Sequence, residues 1–233
     1  MSSFAQNATV VFAHGAWADG SCWRKVILPL EKEGLGVICA PLPLTSLSDD
    51  IAALERVVER TKGPVMLAGH AYGGAPIAGL KDARVRSLVY IAALAPAEGE
   101  TVADVFYRAK PHPEAPAMQP DSHGLVWMPE GAFAHGIAHK ASAEETAILQ
   151  AVQRPIALKC VQEKAPVPGW KTKPSWFLIA EQDRMIAPQT QRFMAERMGA
   201  TIRAHDVDHS PMYTAPGVAI GVILEAARAT LGS

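Results

Sequence analysis

The chain has 233 residues, 49% of them hydrophobic, enough for one domain with a sizeable buried core. Its 22 basic and 23 acidic residues leave a formal charge of −1, so it lacks the basic field that gathers nucleic acid or anionic membrane. Three cysteines, Cys22, Cys39 and Cys160, have neither an even count nor a metal-binding spacing, and read as reduced, mostly buried thiols of a cytoplasmic protein.

The opening residues, "MSSFAQNATVVFAHG", carry neither the basic start nor the long apolar run of a secretory signal. No later stretch reaches the roughly 20 apolar residues of a membrane span. Short apolar runs then alternate with helical patterns. "TVVFA" (9–13), "GVICA" (36–40), "PVMLA" (64–68), "VRSLVYIA" (85–92), "SWFLIA" (175–180) and "TIRAHDV" (201–207) predict six strands. Between the second and third, "SLSDDIAALERVVERTKG" (46–63) predicts a helix capped by Ser48, with Ile51, Leu54, Val57 and Val58 on its apolar face and Gly63-Pro64 as its stop. "RFMAERMGA" and "GVAIGVILEAARATL" predict two more helices near the end of the chain. Strands alternating with helices make a parallel sheet covered on both faces, and such sheets place ligands beyond the carboxyl ends of their strands.

Residues 97–173 break the alternation. They hold many prolines, no strong strand and one clear helix start, Ser142 with Glu145 three residues on, which is a capping-box pattern. We read this segment as a small helical cap inserted within a single domain; a mobile lid or a partner-binding surface would share its composition.

Four short stretches carry chemistry. "GHAYGG" (69–74) lies between the third strand and a helical pattern, with Gly69, Gly73 and Gly74 spaced as a sharp strand-to-helix elbow needs when its central residue points out of the turn. That central residue is Ala71. "HGAW" follows the first strand, where the turn aims the Ala16 N–H at the same point as the Tyr72 N–H, a two-donor oxyanion hole. His14 there is read as shaping the turn and Trp17 as pocket wall or core. Asp183 follows the fifth strand in "FLIAEQDRMIAP" and His209 the sixth in "HDVDHSPMYTAP". The order of nucleophile position, acid and histidine suits a triad in which His209 is the base and Asp183 orients it. Asp183 as a turn acid and His209 as an ordinary loop histidine are the plainer readings; Asp206, Asp208 and Glu181 are weaker acids. Phe106, Tyr107, Trp127, Met128, Phe133 and Met212 are candidates to line a pocket, and of these Trp127, Phe133 and Met212 join Trp17 as the expected substrate-binding side chains. His123, His135 and His139 make no metal-ligand spacing, so neither a metal nor a cofactor is expected.

In these four stretches, over nearly its whole length, the chain resembles the α/β-hydrolase superfamily, and within it the compact cofactor-independent serine esterases related to plant methylesterases and hydroxynitrile lyases. The resemblance implies an α/β-hydrolase fold with a six-stranded, mainly parallel sheet flanked by helices and topped by the cap. It implies cleavage of carboxylic esters or lactones through an acyl-enzyme. Hydroxynitrile lyases carry a lysine directly after the catalytic histidine, where this chain has Ser210, and epoxide hydrolases use an aspartate nucleophile; both are disfavoured.

Alanine at the nucleophile position departs from the pattern, because a methyl group cannot attack a carbonyl and loss of a triad nucleophile costs about 10⁶ in turnover. Either a serine was replaced to hold substrate unhydrolysed, or this is a natural pseudo-hydrolase that binds a ligand or regulates. The completeness of the remaining set favours the first. An uncharged, moderately hydrophobic small-molecule ester or lactone fits the neutral, apolar cap, while Arg108 and Lys110 leave room for an acidic group and amides stay open. Nucleic acid and membrane are not expected partners; a homodimer is left open, because a cap surface and a dimer surface share composition.

Overall fold

Strand β1 (Thr9–Ala13) is buried along its whole length, as a run of this composition must be when helices cover both faces of its sheet. The computed structural model describes residues 4–232 and continues with α1 (Arg24–Lys32), β2 (Gly36–Ala40), α2 (Leu47–Glu59), β3 (Val65–His70), α3 (Gly74–Gly79) and β4 (Val85–Ile91). A long excursion follows, holding α4 (Val102–Phe106), β5 (Leu125–Val126), α5 (Ala143–Ala151), β6 (Ile156–Ala157) and α6 (Leu158–Gln162). The chain returns through β7 (Ser175–Ala180), α7 (Pro188–Arg197), β8 (Thr201–His205), α8 (Pro211–Thr214) and α9 (Pro216–Thr230).

Six strands form one sheet in the order β2-β1-β3-β4-β7-β8, and every pairing is parallel. The chain runs from β1 outward to β2 and then crosses back to β3, so the order reverses between β1 and β3. That reversal opens a crevice beyond the carboxyl ends of these two strands.

Period-two alternation sorts the strand side chains into two cores. Val11 of β1, Leu67 of β3, Tyr90 of β4 and Phe177 of β7 face α2, α3, α7 and the excursion. Phe12, Met66, Val89 and Leu178 face α1 and α9 on the other side. Both helical layers present small residues to the sheet, such as Ala219, Ala226 and Ala227 of α9, which lets the helix lie close.

Two expectations are corrected. Helix α2 is capped by Ser46, whose extended backbone and side-chain bond from the Asp49 N–H end the preceding loop; Ser48 already lies inside the helix. Residues 97–173 are not purely helical, since β5 and β6 pair antiparallel and one turn of π-helix spans Phe133–Ile137. Their capping box is present, with Ser142 and Glu145 each accepting from the other's backbone N–H. Among the described residues no helix is long and apolar enough to cross a membrane.

Candidate active site

The turn between β3 and α3 holds Ala71 at φ +48°, in the left-handed region that an L-residue enters at a cost of about 1–2 kcal/mol. The flanking glycines explain how so tight a turn closes. A Cβ on Gly69 would lie 2.6 Å from the Gly73 carbonyl oxygen, and one on Gly73 would lie 2.5 Å from the Ala13 and 2.7 Å from the His14 carbonyl oxygen. The elbow therefore presses against the end of β1. Gly15, in the loop after β1, approaches so closely that a Cβ on it would sit 3.0 Å from the Ala71 methyl. The next residue, Ala16, and the residue after Ala71, Tyr72, both line the cavity into which Ala71 opens.

Across that cavity stands His209, from the loop after β8. Its Nδ1 lies 2.7 Å from Oδ2 of Asp183, in the loop after β7, and both residues are buried. A carboxylate oxygen only accepts, so His209 donates from Nδ1, which makes Nε2 the nitrogen that can take up a proton. The carboxylate is held on every side: Oδ1 accepts the Met185 N–H at 2.7 Å and the Ile186 N–H at 2.9 Å, and Oδ2 also accepts Nε2 of Gln191 at 2.8 Å. Gln191 was missed by sequence reasoning. It sits on α7, fully buried, and further donates to the Ile186 carbonyl and accepts the Ala180 N–H. The sole signal in the sequence is a helix of the right distance from Asp183, which does not single out one polar residue.

The alternative acids are occupied elsewhere. Asp208 accepts the N–H groups of Lys140 and Ser210 and the Thr214 hydroxyl, Asp206 pairs with Lys140, and Glu181 pairs with Arg192. His14 turns its Nδ1–H onto the Gly15 carbonyl at 2.9 Å, and burial pulls its pKa down to about 4. His70, the residue before Ala71, donates Nε2–H to the His209 carbonyl at 2.7 Å; burial, then the neighbouring His209, holds it well below the usual histidine range and thus neutral.

The cavity has a volume of about 130 Å³. Trp17 is in its wall at φ +59°, its indole N–H donating 2.9 Å to the Val126 carbonyl of β5 and so tying the β1 loop to the excursion. Phe106, Tyr107, Met118 and Leu158 supply more of the wall from residues 97–173, and Met185 and Ile186 close it beside Asp183. Trp127, Phe133 and Met212 are not in the lining. Trp127 is 46% exposed, Phe133 is buried in the core behind the cavity, and Met212 packs into the core on the opposite face of the sheet. Composition marked them as apolar, but the direction each faces depends on how the excursion and α8 pack. Arg108 lies over the Phe193 ring, and among the described residues the lining holds no Asp, Glu, Lys or Arg. Nor do three His, Cys, Asp or Glu side chains gather among the described residues as a metal ion would need.

A parallel sheet with an elbow after its central strand and an Asp–His pair on the two loops beyond defines an α/β hydrolase. The chain belongs to the alpha/beta hydrolase family, whose model matches residues 10–220. It is 33% identical over 125 residues to a carbendazim hydrolyzing esterase of Nocardioides sp. (strain SG-4G), a match covering 47% of this chain and 51%, about half, of that enzyme's length. Its fold is shared by a pyrethroid hydrolase from Sphingobium faniae JZ-2, with a TM-score of 0.82 and 22% identity over 95% of this chain and 98% of that one. A methylesterase from Arabidopsis shares it too, with a TM-score of 0.74 and 18% identity over 94% and 98%.

Proposed function

We propose that this fold is built to cleave small, uncharged carboxylic esters or lactones by acyl transfer, with residue 71 as the nucleophile position, and that alanine there leaves a chain that binds substrate without turning it over. What carries the reading is the convergence of Ala71 and a His209 already oriented by Asp183 on one apolar cavity. With serine at 71, Nε2 of His209 takes the hydroxyl proton as the oxygen attacks the carbonyl carbon. Asp183 stabilises the imidazolium so formed, and the Ala16 and Tyr72 N–H groups receive the developing oxyanion. His209 then returns the proton to the leaving alcohol, and water repeats the sequence to release the acid.

The cavity selects the substrate. An apolar cavity of about 150 Å³ takes up benzene in another protein, so a space of about 130 Å³ accepts one ring or a short branched chain. A carboxylate or ammonium inside it would lose its hydration against walls that offer no counter-charge. The esterase named among the relatives and the family match support ester hydrolysis. We further propose that residues 97–173 act as the cap that shapes this cavity.

Ala71→Ser tests the proposal. Short aryl and alkyl esters and lactones should be hydrolysed, a serine-directed phosphonate should label residue 71, and adding His209→Ala should abolish turnover. No turnover and no labelling would sink the esterase reading and favour the second one, a natural ligand-binding relative, for which the methyl group at 71 is the supporting observation.

A further inference from the structure

Asp50 lies in the first turn of α2, where an acidic residue ordinarily faces water and complements the helix dipole. This one is fully buried, and the groups it binds all lie outside its own helix. Its Oδ1 accepts the Leu44 N–H at 2.8 Å, its Oδ2 accepts the Tyr72 hydroxyl at 2.6 Å, and the Cys160 thiol lies 3.8 Å from the same oxygen. Each of the three reaches a different part of the site. Tyr72 follows Ala71 and walls the cavity. Leu44, held at φ +60°, accepts the Ala157 N–H at 3.0 Å on its own carbonyl. Cys160 sits on α6 between Leu158 and Val161, which line the cavity.

We propose that Asp50 is a positioning residue: by pinning the Tyr72 hydroxyl and the Leu44 loop to one carboxylate, it sets the direction of the Tyr72 N–H and the seating of the cavity wall beside it. The proposal rests on the acyl-transfer reading above. A tyrosine whose ring is fixed at both ends, by the elbow backbone and by a short charge-assisted bond, cannot swing its N–H away from the reacting centre. Burial pushes the Asp50 carboxyl up, against the three donors that favour its charged form. Burial, and then Asp50 itself, raises the Tyr72 hydroxyl, so that group stays a donor.

The test compares Ala71→Ser with Ala71→Ser/Tyr72→Phe and Ala71→Ser/Asp50→Asn on a short aryl ester. Phenylalanine keeps the ring and removes one bond; asparagine keeps one accepting oxygen and serves as the conservative variant. We expect Tyr72→Phe to lower kcat by about 10- to 100-fold, short of the roughly 10²–10³ that outright loss of an oxyanion donor costs, with KM nearly unchanged and Asp50→Asn intermediate. A purely structural bond would lower the melting temperature without that split. A folded Tyr72→Phe variant with unchanged kcat, or one in which KM alone moves, overturns the proposal. A second arm needs no turnover. In the Ala71 chain, amide hydrogen exchange over residues 69–75 should rise in Tyr72→Phe and in Asp50→Asn while exchange in β1 and β4 holds. Unchanged exchange at the elbow in whichever variant folds overturns the proposal, and it does so even where an inactive Ala71→Ser chain has already refuted the esterase reading.

Discussion

Exchanging Gln191 for glutamate replaces one NH₂ by one oxygen and leaves the shape of the side chain intact. In the parent chain Nε2 donates to Asp183 Oδ2 and to the Ile186 carbonyl, both at 2.8 Å. Glutamate turns those two donors into an acceptor facing acceptors. Two charged oxygens about 2.8 Å apart repel by roughly 6 kcal/mol at an effective dielectric constant of about 20. Protonation is the easier escape: keeping a carboxyl of ordinary pKa about 4.3 protonated at about pH 7 costs about 1.36 kcal/mol per unit, or about 3.7 kcal/mol. The proton restores the bond to Asp183 but leaves the Ile186 carbonyl without a donor, adding about 1 kcal/mol. The variant should thus be less stable by about 4–5 kcal/mol near pH 7 and by about 2 kcal/mol near pH 5, because a carboxyl whose folded pKa is raised destabilises increasingly as pH climbs past its unfolded value. Urea unfolding of parent and variant at both pH values, followed by circular dichroism, measures the gap. A gap independent of pH, or below about 1 kcal/mol at neutral pH, would refute the reasoning that Gln191 is a donor to the Asp183 carboxylate.

Gly73→Ala should cost about 1–3 kcal/mol, since its backbone is ordinary at φ −55° and the new Cβ collides with the end of β1; a thermal midpoint equal to the parent's would contradict the close approach. His14 is buried and neutral with a pKa lowered to about 4, so the unfolded chain takes up the proton first and stability falls as pH drops from about 6.5 through about 4, by on the order of 3 kcal/mol. His14→Asn, which keeps a donor near the Nδ1 position, should flatten that decline in urea titrations, and an unaltered slope would count against it. In the Ala71→Ser background, Phe106→Ala should raise KM for aryl esters severalfold while Trp127→Ala leaves it within about twofold, and steady-state kinetics with the order reversed would misplace the cavity.

Much of this molecule was legible before any fold was built. "TVVFA", "GVICA" and "SWFLIA" coincide with β1, β2 and β7; β1 and β7 are buried throughout between two helical layers and are written as unbroken apolar runs, while β2 at the sheet edge keeps the short β-branched pattern though only Ala40 is buried. The elbow was legible because its glycines fall at a fixed spacing within six residues, although of the three only Gly69 answers a demand inside the motif, while Gly73 and Gly74 make room for the end of β1 and for β4 and the loop after it. Asp183 and His209 stood out by chain order and by following strands, and the fold brings them within 2.7 Å. The polar residues that support the site were hidden. Gln191 and Asp50 each sit on a helix, where a polar side chain by default faces water, and only the packing of α7 and α2 against the sheet turns them inward. The cavity wall was legible only in part: Trp17, Phe106 and Tyr107 line it, whereas Trp127, Met128, Phe133 and Met212 do not, since an apolar residue in a proline-rich excursion is equally suited to core, surface or ligand. Local patterns determined the strands, the turn and the candidate chemistry of this chain. Which side chains meet across long sequence separations was decided by tertiary packing alone, because contacts such as Trp17 with Val126 leave no periodic trace in the chain.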